Sequence, residues 1–309
     1  MNDMTYVFLK ATEILAIRDA NVNARFHGEK NSDAYLKRLC EINVITSATP
    51  IMQSDQAMIK ALSQHGYPEE DINDWAATGC VEPTLQGQHY SHTACILLNM
   101  VASMEMALNN GTHPVMHWDV GPKTGSIENG DFKTFEAFFE AWAVQQRFMI
   151  DQALELNDLF GEAHQQYRPT PLFSALIDGA IENGRDVIQG DAKYNSSGTS
   201  NIGLADVTDS LLVIKQLVFD EQKVSFQKLK KAIDENFVND PALLATVRNK
   251  VRLFGSGDDD AVTMANRVPA AFFLLKGRLK NYLAFCQQNV RSLWDFCEQF
   301  MPSYFCTIP

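Results

Sequence analysis

Apolar residues recur at helical spacing along most of the chain. Ile96, Leu97, Met100, Met104 and Leu108 predict a helix over 92–110 that stops at Gly111. Asp131 is placed to cap a long helix whose apolar side carries Phe135, Phe138, Phe139, Trp142, Met149 and Leu156. Further helices are predicted over 54–65, 171–183, 210–219, 226–237 and 241–254, and a fresh start at Pro68 puts Glu69, Glu70 and Asp71 in a first turn. The aromatic residues Phe135, Phe138, Phe139 and Trp142 read as core. Strand signals are fewer. Ile42-Asn43-Val44-Ile45-Thr46 is β-branched and runs into the turn residues Ala48-Thr49-Pro50. Gly79-Cys80-Val81-Glu82-Pro83 cannot be interior helix, because Pro83 disfavours helical geometry at Glu82. Asp258-Asp259-Asp260 predicts a solvated turn. Many helices with sparse short strands predict a helix-rich, incomplete α/β core.

Composition narrows the classes. The 309 residues are 46% apolar, which excludes a wholly disordered chain, and the net charge of −12 argues against nucleic acid or anionic membrane as partners. No apolar run approaches the roughly 18 residues of a membrane span, and Met1-Asn2-Asp3-Met4-Thr5 lacks the basic region of a signal peptide. The chain therefore reads as soluble and cytoplasmic. Its six cysteines form no C-x-x-C pair, so neither a disulfide framework nor a zinc site is expected. His89 and His92, and His113 and His117, have spacings that could share a ligand face. Pro114 interrupts the second pair and no carboxylate motif accompanies either, so no metal site is assigned.

The chemistry concentrates at Cys80. In extended backbone, Cys80 and Glu82 project to the same side, placing a sulfur beside a carboxylate able to accept or return a proton. A neighbouring carboxylate disfavours the thiolate, which points to sulfur chemistry that starts from the neutral thiol. Spacing alone leaves the alternative open that Cys80 is buried packing and Glu82 a surface acid.

Gly79-Cys80-Val81-Glu82-Pro83 resembles the cysteine loop of the glycyl radical enzymes, the pyruvate formate-lyase-like superfamily. Arg168-Pro169-Thr170-Pro171 with Ser174 and Asp178-Gly179 is similar to a second block of that family. Gly190-Asp191-Ala192-Lys193-Tyr194-Asn195 is similar to a third, with Asp191 where a second glycine is usual, and Ile202-Gly203-Leu204-Ala205-Asp206-Val207 extends the likeness. The resemblance runs from about residue 5 to about residue 285.

The resemblance implies part of a ten-stranded β/α barrel over 1–285, with 286–309 an atypical tail such as an out-of-frame reading gives. It implies a stored glycyl radical, installed by a radical-SAM iron–sulfur activating enzyme, that draws hydrogen from Cys80, while Glu82 handles protons. No loop of the type R-V-x-G-[FY] is present, and Arg267-Val268-Pro269-Ala270 lacks its glycine. The chain is thus expected to be a central fragment with no cofactor of its own, inactive alone, from a parent expected to be a homodimer.

Val81 after Cys80 disfavours a formate-lyase, which has two adjacent cysteines. The run Asn109-Asn110-Gly111-Thr112-His113-Pro114, with Trp118 and Gly121-Pro122-Lys123-Thr124-Gly125, is similar to arylacetate decarboxylases acting on 4-hydroxyphenylacetate. So is the run from Tyr194 to Asn201. That likeness implies a lyase releasing CO₂ from an arylacetate, with His113 near the substrate carboxylate and a small iron–sulfur subunit as a further partner. A capping or packing role for His113 stays open. The alternative is a radical dehydratase or C–N/C–S lyase on a small polar substrate of diol, hydroxyproline, choline or isethionate type, and a catalytically silent fragment is the third reading.

Overall fold

The computed structural model describes residues 1–17, 21–47, 49–64, 66–78 and 82–273, apart from the side chains at 92–94, 198–199 and 272–273. The elements are α1 (Asp3–Leu15), β1 (Asn23–Phe26), α2 (Asp33–Thr46), β2 (Ile51–Ser54), α3 (Asp55–Ser63), α4 (Glu69–Asn73), β3 (Trp75–Thr78), β4 (Glu82–Leu85) and β5 (His89–Asn99). There follow α5 (Met100–Leu108), α6 (Phe135–Tyr167), α7 (Pro171–Ser174), α8 (Ala180–Asn183), β6 (Tyr194–Ile202), α9 (Leu204–Val213), a π-helix (Ile214–Asp220), α10 (Phe226–Asp234), α11 (Pro241–Lys250) and α12 (Asp259–Phe273). The described chain forms two compact units, one of residues 1–95 and 164–198, the other of 96–163 and 199–273.

The first unit opens with a parallel β1–α2–β2 crossover in which Asn23 pairs with Ile51 and Phe26 with Ser54. Leu9, Phe26, Leu36, Leu39 and Ile42 form its first core cluster, with Met52 against it. Ser54 ends β2 and caps α3, its hydroxyl accepting the Ala57 N–H. A second cluster gathers Met58, Leu62, Ile72, Trp75 and Leu85 beneath the antiparallel β3–β4 hairpin. In the second unit, Phe138 and Trp142 of α6 are fully buried. The indole N–H of Trp142 donates to Ser103 Oγ at 3.0 Å. The divide between the units falls within β5 and β6, which pair with each other.

Several expectations change. The strands pair only two by two, and no closed barrel is present among the described residues, where helices dominate. Residues 42–46 are the last turn and a half of α2, not a strand. Tyr35, Leu36, Leu39, Cys40 and Ile42 bury one helical face while Val44 and Ile45 stay exposed, so packing overrides β-branched propensity. The first eight residues of the predicted 92–110 helix belong to strand β5, and Asn99 then caps α5 by accepting the Val101 N–H. The predicted 171–183 helix breaks into α7 and α8, because Gly179 at φ +100° lies outside helical geometry. Asp131 does not cap α6. Its carboxylate accepts from the Ser126 N–H, and Thr134 Oγ1 accepts from Ala137 instead. Leu156 is exposed. Asp259 and Asp260 begin α12 behind Asp258, which accepts the Asp260 N–H. The expected tail at 286–309 lies outside the described residues.

Candidate active site

The β3–β4 hairpin places the chemistry. Its register pairs Trp75 with Leu85, Ala76 with Thr84, Ala77 with Pro83 and Thr78 with Glu82. Trp75 and Leu85 are both fully buried and fix one face of the hairpin to the core. The pleat then assigns Ala76, Thr78, Glu82 and Thr84 to the opposite face. Arg25 ties the hairpin base to its neighbours, with its guanidinium 4.5 Å above the Trp75 ring and its Nε 2.7 Å from Asp55 Oδ1. Asp55 also accepts the Trp75 indole N–H at 3.1 Å. Gly79, Cys80 and Val81, which join Thr78 to its partner Glu82, lie outside the described residues. Glu82 therefore stands at the head of β4, two residues from Cys80, on the face turned from the core.

Hydroxyl groups continue that face, since Ser91 Oγ of β5 donates to Thr84 Oγ1 at 2.9 Å. The turn between β4 and β5 is held from two later segments. Gly87 C=O accepts the Asp178 N–H at 2.8 Å, and Gln88 C=O accepts the Tyr194 N–H at 3.0 Å. The blocks around Thr170 to Gly179 and around Lys193 thus serve as braces for the hairpin. Asp186 takes both the Thr170 N–H and its hydroxyl, and Ser174 Oγ accepts the Val187 N–H. Asp191, which replaces the usual glycine, is not among the residues with positive φ, and its carboxylate pairs with Arg185 at 3.2 Å. Aspartate fits the turn without strain.

Two features went unread in the sequence. Asp71, expected as a helix-start acid, is buried and accepts from the Tyr194 hydroxyl and from Lys193 Nζ at 2.9 Å. Those two donors hold its carboxyl below the usual range. His89, weighed only as half of a metal pair, is buried beside Tyr67 and Tyr194, with Nε2 2.8 Å from Ser196 Oγ and no partner at Nδ1 among the described residues. Burial pushes its pKa down to about 4, so the ring is neutral near pH 7.

His113 belongs to the second unit and Glu82 to the first. Its Nδ1 accepts the N–H groups of Val115 and Met116 at 3.2 and 3.0 Å, a local turn cap. That network puts the proton of the neutral ring on Nε2, which leaves one N–H able to donate to an anion.

No helix among the described residues is long and apolar enough to cross a membrane. A family profile described as pyruvate formate lyase-like matches residues 1–288. Trans-4-hydroxy-L-proline dehydratase of Clostridioides difficile is 31% identical over 88% of this chain and 34% of its own length. The (2S)-3-sulfopropanediol dehydratase of Klebsiella oxytoca is 30% identical over 84% of this chain and 31% of its own. Indoleacetate decarboxylase of Tractidigestivibacter scatoligenes matches less, at 26% over 57% of this chain and 20% of its own. Among solved structures, hydroxyproline dehydratase from Clostridioides difficile with trans-4-hydroxy-L-proline bound superimposes at TM-score 0.77, with 30% identity over 88% of this chain and 34% of that one. A glycyl radical enzyme from Archaeoglobus fulgidus does so at 0.73, with 28% identity over the same shares. The chain spans about a third of the length of these dehydratases. Their higher identity and wider coverage move the weight from the arylacetate decarboxylase expectation to its dehydratase or lyase alternative.

Proposed function

The chain belongs to the pyruvate formate lyase-like family, and we propose that it carries the cysteine loop of a glycyl radical dehydratase or C–N/C–S lyase acting on a small polar substrate. The observation that carries the reading is the face shared by Glu82 and Thr84, with the Ser91 hydroxyl bonded to Thr84. A carboxylate beside hydroxyls, two residues from a cysteine, suits a hydroxylated substrate better than an aromatic ring.

The glycyl radical of such an enzyme, installed by an activating enzyme, supplies the one-electron oxidant that opens the S–H bond of Cys80. Cys80 then takes a hydrogen atom from the substrate carbon next to the one that carries the leaving group. Glu82 accepts a proton from the hydroxyl or ammonium group on that carbon and passes it to the departing group, which leaves as water or as another protonated group. Cys80 returns its hydrogen atom to the product carbon and is left as the thiyl that began the cycle, while the Glu82 carboxylate is restored. Throughout, Glu82 does acid and base work in turn.

A second reading keeps decarboxylation of an arylacetate, supported by the indoleacetate decarboxylase match and by the Nε2–H that His113 can offer a carboxylate. The two separate in one assay. A full-length enzyme carrying this segment, activated without oxygen, is offered trans-4-hydroxy-L-proline, propane-1,2-diol, isethionate and 4-hydroxyphenylacetate. Loss of water or sulfite from the polar compounds is expected. Release of CO₂ and 4-methylphenol alone would overturn the proposal in favour of the second reading.

A further inference from the structure

The hairpin that leads to Cys80 is closed at its base by a side chain to which the reaction above gives no part. Asp71 lies in α4, just ahead of β3, and is buried. Its neighbour Ile72 belongs to the same core cluster as Trp75 and Leu85, so α4 is seated on the core that holds the hairpin. The Asp71 carboxylate accepts from Lys193 Nζ at 2.9 Å and from the Tyr194 hydroxyl. The Tyr194 ring packs against that cluster, edge-on to Tyr67 at 4.8 Å. All of these residues belong to the first unit.

Lys193 and Tyr194 are bound in turn to the segment that leaves β4. Lys193 Nζ also donates to Gln88 Oε1, and the Tyr194 N–H donates to the Gln88 carbonyl at 3.0 Å. The Lys193 N–H donates to the Asp178 carbonyl at 2.7 Å, and the Asp178 N–H to the Gly87 carbonyl at 2.8 Å. A closed circuit results. It runs from α4 through β3, the cysteine segment, β4 and the Gln88 turn to Lys193 and Tyr194, and back to Asp71. An ionised carboxylate suits this joint because it accepts from a hydroxyl and an ammonium together, whereas an amide has one oxygen and turns an N–H₂ toward a donor. From Trp75 to Thr78 the strand spans on the order of 10 Å, so a base free to pivot displaces the tip. Misplacing a reacting group by about 1 Å can cost roughly 10²-fold in rate.

We propose that Asp71 is a positioning residue for the reaction at the cysteine segment. It acts through Lys193 and Tyr194 to hold the base of the hairpin, and so fixes Glu82 and both ends of the Gly79-Cys80-Val81 link. The inference rests on the roles given to Cys80 and Glu82 above, but the clamp itself is measurable without turnover.

Amide hydrogen exchange on the 309-residue chain, read by mass spectrometry, reports the clamp directly. In Asp71→Asn and in Lys193→Met, exchange over residues 82–88 is expected to rise by about tenfold or more, with the β1–α2–β2 crossover within about twofold of wild type. Lys193 is exposed, so its variant tests the clamp without opening the core. Unchanged exchange in the hairpin, or a rise that is uniform across the first unit, overturns the proposal. In the activated full-length enzyme, Asp71→Asn should lower kcat by about tenfold or more, with KM within about twofold and the glycyl radical signal undiminished. Adding Lys193→Met should lower kcat little further, because both changes open the same joint. Wild-type kcat in Asp71→Asn, or an effect on KM alone, overturns the positioning role. If the wild type itself ignores the polar compounds, the reaction assigned above falls, while the exchange result still decides the clamp.

Discussion

Thr78 and Glu82 are cross-strand partners, and the link between them is Gly79, Cys80 and Val81. Both ends of the cysteine segment are thereby tied to a hairpin whose other face is anchored by Trp75 and Leu85. A thiol that must trade hydrogen atoms with a substrate gains from such fixed ends, because misplacing a reacting group costs rate steeply. In the activated full-length enzyme, Cys80→Ala should abolish turnover and leave the glycyl radical signal in the electron paramagnetic resonance spectrum. Measurable turnover by that variant removes Cys80 from the mechanism.

Glu82 differs in kind, since it moves protons and stores no radical. Glu82→Gln keeps shape and hydrogen bonding but cannot accept a proton, so kcat is expected to fall by roughly 10²–10⁴-fold. Glu82→Asp, one methylene shorter, should recover part of that loss. A Glu82→Gln rate within about twofold of wild type would leave the residue a structural role only.

How much of this was legible in the sequence depends on the range of the interaction. A helix opening near residue 54 and the buried Phe138 and Trp142 follow from local spacing. The extended backbone at Glu82 was legible because Pro83 excludes helix there, while Cys80 lies outside the described residues. Asp71 was not, because its partners Tyr194 and Lys193 are supplied by a segment more than 120 residues away. Strand β5 was hidden because its polar start, His89 to Thr93, carries no alternation, while Ile96, Leu97 and Met100 match a helical period as well. The same ambiguity concealed His89, whose burial depends on Tyr67 and Tyr194.

The hairpin anchor can be measured directly. Trp75→Ala removes a fully buried indole, the surface under the Arg25 guanidinium and a donor to Asp55. A loss of about 3–5 kcal/mol is expected from chemical denaturation. Trp75→Phe, which fills most of the volume but lacks the N–H, should cost less than half as much. Equal losses would mean that the Asp55 contact, not packing, holds the hairpin.

In the second unit, Trp142 and Ser103 form a buried pair, both fully inaccessible. Ser103→Ala leaves the indole N–H without its acceptor, so stability should fall by about 1–3 kcal/mol although only one oxygen is lost. Adding Trp142→Phe to that variant removes the orphaned donor. The double variant should then be less unstable than the sum of the two single changes, and strict additivity in a double-mutant cycle would show that the hydrogen bond carries no coupling.

His89 makes the stability of the first unit depend on pH. Its pKa in the folded chain is about 4 against 6.5 for the free side chain, because burial penalises the imidazolium. Above about pH 6.5 neither the folded nor the unfolded form binds the proton, and the full stability is present. Between about 6.5 and 4 the unfolded chain takes up the proton and the folded chain does not, so unfolding is favoured as pH falls. The slope approaches about 1.4 kcal/mol per pH unit, and the loss is about 3 kcal/mol once the pH drops below both values. Asp71 acts lower on the scale. Its depressed pKa contributes stability that is present above its unfolded value and disappears as pH falls through the folded one, beneath most of the His89 window. Urea midpoints of the wild type measured from pH 7.5 to 4.5 should therefore decline, while those of His89→Gln, which has no titrating ring, should stay flatter over the same interval. Parallel curves for the two proteins would show that the buried ring is not the group that senses the acid.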